Sequence, residues 1–64
     1  MLIGGFQMED VGYGIKVTEH ESGWSFWLQG DDAQLFRDDW KDAEDVGVNF
    51  RHFLRYYDYT AMLS

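Results

Sequence analysis

Apolar and polar residues alternate through the first third of the chain, then change period. After Leu2 and Gly4-Gly5, the run Phe6-Gln7-Met8-Glu9 alternates, which predicts a strand with a bulge at the glycines. Asp10-Val11-Gly12 is a turn signal. Tyr13 to Thr18 alternates again, with Tyr13, Ile15 and Val17 on one face. Glu21-Ser22-Gly23 marks the next turn, and Trp24 to Leu28 predicts a third strand with Trp24, Phe26 and Leu28 on one face. A slip of one residue would send every side chain to the wrong side of a sheet. An even-numbered loop with Ser22-Gly23 at its tip pairs Val17 with Leu28 and Glu19 with Phe26. It gathers Ile15, Val17, Phe26 and Leu28 on one side and leaves Trp27 on the other, near Lys16, Thr18 and His20.

Beyond Gly30 the period becomes helical. Asp31 is the expected N-cap, with Gln34 at N3 as in a capping box, and Asp32 suits the first turn. The helix is expected to run to about Asp45, with Gly47 as a left-handed residue just past its end. Ala33, Phe36, Trp40 and Ala43 fall on one stripe. A second helix starts after Asn49, its cap, with Val48 able to staple to Phe53. Its apolar face comprises Phe50, Phe53, Leu54, Tyr57 and Ala61. The predicted order is β-β-β-α-α. This is an α+β domain spanning residues 1–64, a three-stranded antiparallel sheet followed by two helices packed on one face.

Composition narrows the class. The 64 residues include no cysteine and no proline, and 19% are aromatic. Disulfides are excluded, and the aromatic content is far from that of a disordered acidic tail. A chain this short buries only about 60% of its unfolded surface, so large rings, each burying roughly 150–250 Å², carry much of the core. No apolar stretch approaches membrane-spanning length. The N-terminus lacks the basic and apolar regions of a secretory signal, so a cytoplasmic location is expected.

The formal net charge is −7, and it is unevenly spread. Residues 1–30 carry −3, residues 31–46 carry −5, and residues 47–64 carry +1. On a helical wheel, Asp31, Asp38, Asp42 and Asp45 lie within about 60° of each other, opposite Phe36 and Trp40. Asp39 borders the apolar stripe, and Leu35 projects from the acidic face. Asp38 to Asp42 spans about 6 Å and Asp31 to Asp38 about 10 Å along the axis. Each strand of duplex DNA presents a phosphate every 3.4 Å or so, so such a row can occupy phosphate positions in a basic groove. The same charge argues against direct contact with nucleic acid or an anionic membrane and for a basic protein or nucleoprotein partner. An acidic helix face also serves simply to keep a small protein soluble.

Chemistry-bearing motifs are scarce. Gly12-Tyr13-Gly14 lies in a hairpin and is no nucleotide loop. His20 sits in a turn between two glutamates, and His52 beside the apolar face of the last helix. Asp38, Asp39 and Asp42 would hold a hard cation only weakly. No carboxylate pair is placed for acid–base work, so no enzyme activity, cofactor or resident metal is expected. Trp27 is either a partner anchor or is covered by the N-terminal strand or a helix. Tyr56 and Tyr59 lie off the apolar stripe, and serve either an interface or packing against the sheet edge. Arg51 and Arg55 are expected to pair with carboxylates of the first helix or with Asp58.

In size, acidity, lack of cysteine and aromatic content, the chain resembles the small acidic anti-defence proteins of phages, notably anti-CRISPR proteins and other DNA mimics. The resemblance rests on class features, and no residue role is carried over. It implies a non-enzymatic inhibitor, acting in the host cytoplasm, that covers a nucleic-acid-binding surface. The candidate contact residues are Asp31, Leu35, Asp38, Asp39, Asp42 and Asp45, with Trp27, Tyr56 and Tyr59. The alternatives are an immunity or antitoxin protein that neutralises a basic toxin, and a structural interaction module.

Overall fold

The computed structural model describes all 64 residues. Strands β1 (Leu2–Ile3), β2 (Phe6–Asp10), β3 (Gly14–Glu19) and β4 (Ser25–Gln29) precede helices α1 (Asp31–Asp45) and α2 (Phe50–Tyr56), and a short 3₁₀ turn covers Tyr59–Met62. The strands form one antiparallel meander in the order β1-β2-β3-β4. The sheet thus has four strands rather than three. Gly4 and Gly5 both take positive φ, 52° and 87°, between the paired residues Ile3 and Phe6. Positive φ at both central positions marks a two-residue hairpin turn, so the glycines fold the N-terminus back as a strand instead of bulging.

The β3–β4 register also differs from the expected one. Val17 pairs with Phe26 and Ile15 with Leu28, a shift of two residues. The pairing continues to Glu19, whose amide donates to the Trp24 carbonyl, and leaves a four-residue loop centred on Glu21-Ser22. An even shift preserves parity, so Ile15, Val17, Phe26 and Leu28 still share the buried face. Trp24 and Tyr13 do not join them. They lie in the turns flanking the strands and are 56% and 74% exposed.

Eleven buried apolar side chains make a single core between the sheet and the helices. The sheet contributes Phe6, Ile15, Val17, Phe26 and Leu28; α1 contributes Ala33, Phe36 and Trp40; α2 contributes Phe50, Phe53 and Leu54. Phe36 is its hub, with edge-on contacts to Phe26, Phe50, Phe53 and Tyr59.

Helix α1 starts one residue earlier in its capping frame than expected. Gly30 is the N-cap, at φ 60°, and no side chain caps the helix. Asp31 and Asp32 are therefore first-turn residues acting through the helix dipole. At the other end, Gly47 at φ 83° donates to Glu44 and Val48 donates to Ala43, the paired bonds of a Schellman motif. Asn49 caps α2 by accepting the His52 amide at 2.8 Å. This helix ends at Tyr56, because Asp58 turns left-handed at φ 65°. The apolar face expected to continue through Tyr57 to Ala61 stops short: Tyr57 is 45% exposed and Ala61 is exposed.

Candidate partner-binding surface

The outer side of α1 is the most strongly charged surface of the molecule. Asp31, Asp38, Asp42 and Asp45 are all exposed there, with Leu35 58% exposed among them. Asp39 is half-buried at the border with α2. Asp38 is positioned by its own helix: Gln34 Nε2 donates to its Oδ1 at 3.0 Å, and Arg37 Nη1 donates to Gln34 Oε1 at 3.4 Å.

Two of the three arginines, Arg37 and Arg51, are engaged with the sheet. The core-facing positions of the strands include two carboxylates, Asp10 opposite Ile15 and Glu19 opposite Phe6. A carboxylate facing a core must find a partner or stay at its edge. Arg37 reaches from α1 to Asp10 in a two-pronged pair, Nε to Oδ2 at 2.8 Å and Nη2 to Oδ1 at 2.9 Å, and Nη2 also donates to the Gly12 carbonyl. The Arg37 hydrogen bonds, with help from the Gly12 amide, lower the Asp10 pKa to about 2. Arg51 reaches from α2 to Glu19 at 3.3 Å. Glu19 is held below its ordinary range, first by the Ser22 hydroxyl and then by Arg51. The expected pairing of Arg51 and Arg55 with the first helix or Asp58 is therefore not what forms. Arg51 is tied to the sheet, and Arg55 makes no ion pair. No group of three or more His, Asp or Glu side chains converges as a metal-binding cluster.

Tyr59 leaves the candidate surface. Its ring stacks on Phe26 at 5.7 Å and meets Phe36 at 5.0 Å. Burial, with the charges of Asp39 and Asp32, raises its hydroxyl pKa. Tyr56 stays on the surface at 75% exposure and packs edge-on against Tyr57 at 5.0 Å. Tyr57, placed by sequence on the buried face, instead lines a cleft beside Asp39. The helix end that exposes it carries no glycine or proline to announce it.

Trp27 lies apart from these groups. It pairs with Lys16 on the sheet face opposite the helices, so it points away from the acidic row, and neither the N-terminal strand nor a helix covers it. Its indole N–H donates to Gln29 Oε1 at 2.9 Å, Tyr13 packs edge-on at 6.1 Å, and the ring covers Gly14. A Cβ at Gly14 would overlap the indole and crowd the Leu28 carbonyl at 2.9 Å. The candidates thus split into two surfaces: α1 with Tyr56, and Trp27 alone.

No helix is long and apolar enough to cross a membrane. Comparison with protein-family models, curated proteins and solved structures gives no match.

Proposed function

We propose that the chain is a non-enzymatic inhibitor that occupies a basic, nucleic-acid-binding surface of a protein or nucleoprotein complex, in the manner of phage anti-defence DNA mimics. The observation that carries this reading is the uncompensated row Asp31, Asp38, Asp42 and Asp45. Arg37 and Arg51 are held by sheet carboxylates, and none of these four aspartates forms an ion pair. An apolar residue in the row, Leu35, gives the contact a dehydrated centre beside the charges. Charge steers the approach of a cationic groove, and a rigid helix presents its carboxylates without further ordering cost.

Competition tests this directly. The chain, used as bait, retains its partner from a host lysate, and the partner is then titrated with a duplex oligonucleotide and with the chain. Mutually exclusive binding at a fixed stoichiometry is expected, with the partner left chemically unaltered. Simultaneous binding of both ligands overturns the reading, and so does inactivation of many partner molecules by one chain.

A further inference from the structure

We propose that the cleft between the C-terminal half of α1 and α2 is a receptor for one arginine side chain of the partner, its guanidinium lying against Tyr56 and Tyr57 and facing Asp39. This assignment rests on the reading above that the partner is cationic. The cleft has a volume of about 220 Å³ and is lined by Ala43, Val48, His52, Phe53, Tyr56 and Tyr57. That is below the roughly 300–1,000 Å³ of pockets that enclose drug-sized ligands, and suits a single inserted side chain.

Its walls are aromatic. Tyr57 contacts Phe53 at 5.2 Å and Tyr56 at 5.0 Å, both edge-on. Asp39 and Asp42 of α1 lie outside the lining but near enough to act on the charge state of Tyr57. Asp39 lies one turn before Ala43, so it points to the same side of the helix, and no cation of this chain pairs with it or with Asp42. Both carboxylates act on Tyr57, whose hydroxyl pKa is raised first by burial and then by Asp39, Tyr56 and Asp42. An apolar entrant would leave these charges unanswered, and an anion would be repelled by them. A cation with a long apolar stem satisfies both walls. Arginine fits better than lysine, because its planar, weakly hydrated group stacks on rings and forks onto carboxylates. The fold already makes one such contact internally, with the Arg51 guanidinium 4.8 Å from the centre of the Phe6 ring.

NMR titration of the labelled protein with acetyl-Gly-Arg-Gly-amide tests the assignment, alongside the lysine peptide and its neutral citrulline analogue. Saturable shifts at Ala43, His52, Tyr56 and Tyr57 are expected. The citrulline peptide should bind about tenfold more weakly, the equivalent of one charge-assisted hydrogen bond. Asp39→Asn should weaken the arginine peptide by a similar factor of about ten, and Tyr57→Leu should abolish the preference for arginine over lysine. Asp38→Asn with Asp45→Asn should leave cleft binding nearly unchanged, because both lie outside it. Unchanged amide spectra away from the cleft report that each variant is folded. Equal binding of the citrulline peptide overturns the proposal. Shifts confined to Asp31, Asp38 and Asp45 also overturn it, yet leave the acidic-row reading standing. An absence of any shift overturns the cleft alone, since partner competition judges the wider reading separately.

Discussion

Helices α1 and α2 pack on the same sheet and share one core, yet they carry opposite charge. Across its 15 residues α1 has seven carboxylates against Arg37 and Lys41, whereas the seven residues of α2 include Arg51 and Arg55 and no acid. Adjacent helices of opposite sign would be expected to neutralise one another across their seam. Here they do not. Each helix sends an arginine down to the sheet, Arg37 to Asp10 at one end and Arg51 to Glu19 at the other. The ion pairs therefore run between layers and not between helices. The acidity of the α1 surface follows from this wiring as much as from composition, and the difference between the helices is preserved at the surface where a partner would meet it.

The sharpest way to break the comparison is within α1, between its two faces. Phe36 is fully buried at the hub of the core, and Phe36→Ala should cost about 3–5 kcal/mol. A domain of this size has roughly 3–10 kcal/mol in total, so the variant should be largely unfolded by circular dichroism. Leu35, its exposed neighbour, should change stability by no more than about 0.5 kcal/mol when replaced by alanine. Comparable losses at both positions would mean that the acidic face is packed against something.

The outer sheet face gives the next effect. Gly14 needs no unusual φ, and its requirement is the space beneath Trp27. Gly14→Ala should cost about 1–3 kcal/mol by overpacking and lift the indole, with a change in tryptophan fluorescence that is absent when Trp27 is already replaced by alanine.

A smaller effect belongs to the inter-layer wiring. Arg37→Ala should cost less than about 1 kcal/mol, because the pair is partly exposed and screened. Its pH dependence is more telling. Asp10 falls from an ordinary 3.8 to about 2 in the folded chain. The folded state therefore binds this proton less readily than the unfolded one, and the pair's contribution is complete above about pH 4 and lost as pH falls through about 2. Denaturant titrations between pH 5 and pH 2 should show the wild type losing more stability than Arg37→Ala over that window.

The least effect on stability is expected in the acidic row. Reversal of Asp38 and Asp42 to lysine exchanges one like-charge i,i+4 pair for another, each worth a few tenths of a kcal/mol, and Tm should stay close to that of the wild type.

The elements that local chemistry controls were readable from sequence. The span of α1, the left-handed Gly47, the Asn49 cap and the inward parity of Ile15, Val17, Phe26 and Leu28 all match the structure. What escaped depends on geometry that alternation does not encode. Alternation distinguishes odd from even register, yet not one even register from another, so the β3–β4 pairing was displaced by two. Gly4-Gly5 was ambiguous between bulge and turn, and the ambiguity hid β1. The end of α2 depends on Asp58 adopting a left-handed conformation, which aspartate tolerates without announcing it. That stop is what turns Tyr59 into the core. The arginine pairings join residues 27 and 32 positions apart. One clue was present: Asp10 and Glu19 share parity with Met8 and Val17, and an inward-facing carboxylate calls for a cation from the opposite layer.

Affinity for the captured partner, measured as a function of salt for the wild type and for the Asp38→Lys/Asp42→Lys variant, bears most directly on the acidic row. The control reverses Glu9 and Glu21, which are exposed and outside α1; Asp10 is unsuitable because it holds Arg37. Wild-type binding should weaken steeply as salt shortens the screening length to about 10 Å at 0.1 M. The α1 variant should bind about tenfold or more weakly at low salt, mainly through slower association, while the control stays close to wild type. Equal affinity of the α1 variant and the wild type at low salt would show that the row is only a solvated face and place the contact elsewhere, with Trp27 and Tyr56 the first residues to test.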